Sequence, residues 1–232
     1  MAVAIITGAS RGSGRALATA LAGRGWDLVL DARSAGPLEE VAAALRERGG
    51  AVTALAGDVA DGGHRAELIG AAWDLGGLDL LVNNAGVLGA APLVPLEEHA
   101  LNDFRAALEV NVVAPLGLVQ EALPLLREAP AGAVINLSSD AASEAYRTWG
   151  GYGATKAALD QLSAVLAVEE PGLRVWAVDP GGMRTDMLAA AEPDEDLSGV
   201  PRPEDVVPAF LSLLERRPAS GRYAAPSLLV TR

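Results

Sequence analysis

Ala2-Val3-Ala4-Ile5-Ile6-Thr7-Gly8-Ala9-Ser10-Arg11-Gly12-Ser13-Gly14 decides how the rest of this chain is read. The apolar run that opens it has the length of a buried strand. A glycine-rich turn follows, and the Ala/Leu-rich residues 14–24 then have the composition of a helix. Gly8 permits a tight turn. Gly12 and Gly14 remove Cβ atoms where main chain approaches a pyrophosphate and where helix packs on strand. A helix N-terminus there offers unpaired N–H groups and a positive dipole end to an anion. The spacing is G-x-x-x-G-x-G rather than the commoner G-x-G-x-x-G, so the strand–turn–helix setting carries the inference of dinucleotide binding. A rival motif lies inside it: Gly8-Ala9-Ser10-Arg11-Gly12 matches the G-x-S-x-G elbow of hydrolases. That reading needs a histidine base, and the two histidines, His64 and His99, are read as solvated helix residues.

Outward from this turn, strand and helix patterns alternate. Strands are expected at residues 28–30, 52–56, 78–82, 133–137, 174–178 and 227–230. Helices are expected at residues 37–48, 64–75, 97–127, 152–168 and 203–216. The strands are near-continuous apolar runs, as when helices cover both faces of a parallel sheet. The fold class is therefore α/β, a Rossmann-type doubly wound sheet of about seven parallel strands in one domain spanning 1–232. Residues 189–205, acidic and proline-rich, break the rhythm and read as a mobile surface loop within a substrate segment at 183–205.

Composition excludes several classes. The chain has 232 residues, half of them hydrophobic, and a net charge of −12, which disfavours nucleic acid and anionic membrane surfaces. It has no cysteine, hence no disulfide, thiolate metal site or cysteine nucleophile, and no metal site is expected. No basic stretch precedes the first apolar run, so it does not read as a signal peptide, and no apolar run reaches the ~18 residues of a membrane span. A cytoplasmic location is expected. Asn136-Leu137-Ser138 fits the glycosylation pattern but falls in an expected buried strand.

Tyr152-Gly153-Ala154-Thr155-Lys156 places a phenol and an amine one helical turn apart, on one face. An adjacent ammonium favours the phenolate, so Tyr152 is expected to ionise below its usual value near ~10. Such a pair also fits a solvated helix face. At the second strand's end, Leu30-Asp31-Ala32-Arg33-Ser34 holds both a carboxylate, which binds ribose hydroxyls, and an arginine, which binds a 2′-phosphate.

Taken together these segments resemble the short-chain dehydrogenase/reductase family, nearly end to end. Thr7 to Gly14 is similar to its TGxxxGxG turn, Asp58-Val59 to its acidic adenine contact, and Asn83-Asn84-Ala85-Gly86 to its NNAG motif. Asn111 falls at a helix asparagine of the family. Ser139, Tyr152 and Lys156 match its serine and YxxxK, and Pro180-Gly181 with Thr185 its PGxxxT motif. The resemblance implies a cofactor site formed by Gly8, Ser10, Arg11, Gly12, Gly14, Arg33, Ser34, Asp58, Val59, Asn84, Ala85, Gly86, Pro180, Gly181 and Thr185, with Tyr152 and Lys156. NAD-preferring members carry aspartate at the position of Ala32, and NADP-preferring members carry basic residues at those of Arg33 and Arg11. NADP(H) is therefore expected over NAD(H), with Asp31 as the contrary sign.

The resemblance also implies roles. Tyr152 protonates the developing alkoxide in carbonyl reduction, and Ser139 hydrogen-bonds the same oxygen. Lys156 holds the nicotinamide ribose and lowers the Tyr152 pKa, while Asn111 holds a water that links Lys156 to solvent. Ser138 is expected to point the other way. Val87, Leu88, Tyr146, Trp149, Met183, Met187 and Leu188 are candidates for an apolar substrate pocket. Glu144 and Arg147 are candidate polar selectors. The family's glycine-rich tail is reduced here, which leaves a tetramer open and a homodimer through the Asn111 and Tyr152 helices expected. A non-catalytic NADP-binding sensor or scaffold, and a dehydratase or epimerase, stay as alternatives.

Overall fold

The computed structural model describes residues 1–229 of the chain. The first strand, β1 (Val3–Ile6), is wholly buried. Its side chains alternate between faces: Ile6 joins one apolar cluster and Ile5 the other. The sheet has seven strands in the order β3-β2-β1-β4-β5-β6-β7, completed by β2 (Asp27–Ala32), β3 (Val52–Ala56), β4 (Leu80–Asn83), β5 (Ala133–Leu137), β6 (Arg174–Asp179) and β7 (Gly221–Ala224). Every pairing is parallel.

Helices cover both faces. α1 (Gly12–Ala22), α2 (Ala35–Arg46) and α8 (Pro203–Arg216) bury Leu17, Leu21, Leu38, Leu45 and Phe210 against Ile6, Leu30 and Trp176. On the other face, α3 (Gly62–Asp74) and α5 (Ala114–Glu128) bury Leu68, Leu118 and Leu126 against Ile5, Leu81 and Val175. α6 (Gly150–Glu169) packs on β5 and β6. Strand order reverses between β1 and β4, so a crevice opens beyond their carboxyl ends.

Three expectations are corrected. The helix read at 97–127 starts as α4 (Leu101–Leu108), passes through a π turn (Glu109–Val113) and continues as α5, which tolerates Pro115 in its first turn and Pro124 inside. By length and apolarity Leu101–Glu128 meets the criterion for a membrane span, but 39% of its most apolar window is buried against this fold. The last strand is Gly221–Ala224, and Ala225–Leu229 forms α9. Val230, the end of the expected strand, lies outside the described residues. Residues 189–205 are not all loop: α7 (Asp186–Ala191) enters the segment, a 3-10 turn (Leu197–Gly199) follows, and α8 begins at Pro203.

Candidate active site

The glycine turn leads from β1 into α1. Gly8 has φ +65°, and a Cβ there would sit 2.9 Å from Asn84 Nδ2. At Gly14 a Cβ would lie 2.5 Å from the Gly8 carbonyl oxygen, so only glycine lets the helix approach its own turn this closely. Asn84, beyond β4, braces the turn by donating through Nδ2 to the carbonyls of Thr7 (2.7 Å) and Gly8 (3.2 Å). Thr7 Oγ1 accepts from the main-chain N–H groups of Asn84 and Ala85. The ends of β1 and β4 are thus tied at the switch point.

A cleft of about 900 Å³ runs from this turn to α6. Gly8, Ser10, Arg11 and Gly12 line one end, Arg33, Ser34, Asp58 and Val59 the side beyond β2 and β3, and Asn84, Ala85 and Gly86 the floor. Tyr152, Lys156, Pro180 and Thr185 line the other end. Among the described residues, Gly14, Asn111, Ser139 and Gly181 do not line the cleft. Among the described residues, six basic and five acidic side chains line the cleft. The net charge of −12 therefore resides elsewhere, and the cleft itself does not repel a polyanion.

His64 is not solvated. It is buried, with Nε2 2.7 Å from Asp31 Oδ1, and its ring lies where a Cβ on Gly57 would come within 2.3 Å. Asp31 Oδ2 accepts from the Gly8 N–H at 3.4 Å. Burial raises the Asp31 pKa, with His64 opposing it. His99 is also not a solvated helix residue: it precedes α4, and both of its ring nitrogens are buried. Neither histidine takes the role of an elbow base.

Gly153 lets α6 meet the 3-10 turn that follows β5, since a Cβ there would lie 2.4 Å from the Ala141 carbonyl oxygen. That approach buries Tyr152 and Lys156. Lys156 Nζ donates to the Leu137 carbonyl at 2.7 Å and lies 5.5 Å from the Tyr152 ring centre. The expected ionisation is corrected here. Burial pushes the Tyr152 phenol up, and the charges of Asp140 and Asp179 add to it. Burial lowers the Lys156 ammonium to about 8. Desolvation outweighs the attraction between the pair, so Tyr152 is held protonated in this state.

Ser138 is buried and is among the residues that line the cleft. β5 ends at Leu137, so strand alternation no longer applies beyond it. Ser139 caps a 3-10 turn (Asp140–Ala142): its Oγ accepts from the Ala141 N–H at 3.2 Å and donates to Asp140 Oδ1 at 3.0 Å. Asn111, turned inward by the π turn, accepts from the Val87 N–H and donates through Nδ2 to the Val87 carbonyl and to Thr155 Oγ1. Both amide hydrogens are committed, so the side chain fastens the post-β4 segment to α6.

On the open side, Val87, Met183 and Met187 line the cleft, while Leu88 and Trp149 pack with Tyr152. The exposed Tyr146 donates its hydroxyl to Asp140 Oδ2 at 3.1 Å. Arg11 Nη1 pairs with Asp186 Oδ2 at 2.8 Å, which joins the glycine turn to α7. Asn136 is buried in β5, bonded to Asn83 and Ser163, as a chance glycosylation match requires. Sequence reasoning missed Ser13, Arg15, Arg184 and Arg202 on the cleft wall, and the pairing of the wall residue Asp31 with His64.

A parallel sheet with a glycine-cradled helix start at its switch point, and a buried tyrosine and lysine at the far end of one cleft, define an NAD(P)-dependent oxidoreductase of Rossmann type. The short chain dehydrogenase family profile matches residues 2–196, and the chain belongs to that family. It is 33% identical over 219 residues to the uncharacterized oxidoreductase YciK of Escherichia coli, covering 91% of this chain and 85% of that one. To the D-erythrulose reductase of Gallus gallus it is 34% identical over 233 residues, covering 93% and 89%. A short chain dehydrogenase from Shigella flexneri, solved in complex with NADP, superimposes with a TM-score of 0.91 at 31% identity, covering 97% of each chain.

Proposed function

We propose that this chain is an NADPH-dependent reductase of ketones or aldehydes, reversible in principle. The observation that carries the reading is the buried Tyr152 beside Lys156 in the cleft that also contains the glycine turn. A bound nicotinamide supplies the hydride. Tyr152 then donates its proton to the carbonyl oxygen as charge develops there. Ser139 turns its hydroxyl from Asp140 to the same oxygen, and Lys156 holds the ribose and resupplies the proton. A pure binding protein has no need of a buried phenol and amine so placed.

Support for NADP over NAD comes from the adenosine end. Asp31 has one carboxylate oxygen committed to His64 and the other to Gly8. The next position is Ala32, and the cationic Arg11 and Arg33 line the cleft beside it. The cofactor of the Shigella flexneri structure agrees with this. A homodimer through the outer faces of α5 and α6 is supported by the exposed Leu116, Val165 and Val168, with Val113 of the π turn beside them. The function is tested by incubating the enzyme with NADPH or NADH and a panel of ketones and aldehydes while following nicotinamide absorbance. Carbonyl-dependent consumption of NADPH supports the reading; its absence across the panel refutes it.

A further inference from the structure

We propose that Arg222 is a positioning residue, whose one guanidinium ties the strand end bearing Ser139, the helix bearing Tyr152 and Lys156, and the turn at Pro180 into one unit. Nη2 donates to the Ser139 carbonyl and Nε to Asp160 Oδ2, both at 2.9 Å, and Nη2 lies 3.6 Å from Asp179 Oδ2. The three partners come from three separate elements, and β7 is the edge strand that brings the arginine to all of them.

Each partner has its own line to the reacting groups. Asp160 is one turn beyond Lys156 on α6, and its charge opposes the burial that lowers that amine. Asp179 accepts from the Gly181 N–H at 2.9 Å, and its charge reaches the Tyr152 phenol. The side chains of Asp160 and Asp179 are only 17% and 10% exposed, so water screens them poorly. Asp160 Oδ1 is buried without a donor, and among the described residues Arg222 is the only side chain that donates to this carboxylate. The charged groups facing the pair are Asp140 after β5, Asp160 on α6, Asp179 on β6 and Arg222 on β7; the π turn contributes the neutral Asn111.

The proposal rests on the cleft being a hydride-transfer site, but its test needs no turnover. Lys156 is the only lysine in the chain, so lysine-selective isotope labelling gives one side-chain signal. Its pH titration in the full-length protein is expected to have a midpoint of about 8. Arg222→Met strips the cation from Asp160 and should raise that midpoint by roughly half to one pH unit. Arg222→Gln, which keeps an N–H donor without the charge, should do the same. Arg222→Lys adds a second lysine signal, which its absence from the wild-type spectrum identifies; the Lys156 midpoint should stay in place while kcat falls, because an ammonium does not reproduce the planar fork. Adding Asp160→Asn to Arg222→Met should return the midpoint to the wild-type value or below. A midpoint unmoved in both uncharged variants, or raised equally in the double variant, overturns the proposal. A wild-type enzyme inactive on every carbonyl, with these shifts observed, removes the reductase reading alone.

Discussion

His64 Nε2 lies 2.7 Å from Asp31 Oδ1, and the two side chains are 7% and 1% exposed. The contact joins the end of β2 to the start of α3 and sets a histidine against the one carboxylate that lines the cleft from β2, which lessens its repulsion of an anion there. His64→Leu should destabilise the fold by about 3 kcal/mol, the cost of leaving one member of a buried pair alone. It should also narrow the preference for NADPH over NADH. Arg33→Ala should raise KM for NADPH about tenfold and leave NADH nearly unchanged, since it removes a charge-assisted phosphate contact. Steady-state kinetics with both cofactors and a thermal melt check these outcomes.

Arg11 is engaged by Asp186 across the mouth of the cleft. A 2′-phosphate drawing on Arg11 competes with that carboxylate. Asp186→Asn should therefore tighten NADPH binding by a few-fold and leave NADH unaffected, a small effect because both side chains are exposed. Calorimetric titration of each cofactor measures it.

Gly153→Ala places a methyl 2.4 Å from the Ala141 carbonyl oxygen. The helix must shift to relieve it, at a cost of about 1–3 kcal/mol. Tyr152 is carried on the neighbouring residue, so kcat should fall more than the cofactor KM rises. A denaturant melt with kinetics on the same sample tests both parts.

Lys156 gives stability a defined pH dependence. Its amine is lowered from 10.5 to about 8 in the folded chain. Between these values the unfolded chain holds a proton that the folded chain has lost, so this residue's contribution rises with pH across about 8 to 10.5. Tyr152 acts in the opposite sense above its unfolded value of 10.0, because the folded phenol stays protonated. The stability difference between wild type and Lys156→Met should thus shift in favour of wild type as pH climbs from neutral to about 10. Urea melts at stepped pH give the difference.

What was legible in the chain was local. The glycine turn and the Tyr152–Lys156 spacing lie in short windows, and β3, β5 and α8 were placed at their observed limits because composition marks their ends. The direction of the Tyr152 shift was not legible: spacing names a neighbour, while burial depends on how closely Gly153 lets the helix approach. The Asp31–His64 pair spans 33 residues and exists only because the sheet order sets β2 beside α3. Arg222 sits on a short, partly exposed edge strand with no apolar signal, so the strand was read further along, at residues 227–230.

The central claim is that the buried phenol of Tyr152 transfers the proton in carbonyl reduction. Its most direct test is Tyr152→Phe, assayed for turnover and for NADPH affinity on the same preparation. The account predicts a fall in kcat of roughly a hundredfold or more with NADPH affinity unchanged. Turnover close to that of the wild type would contradict it.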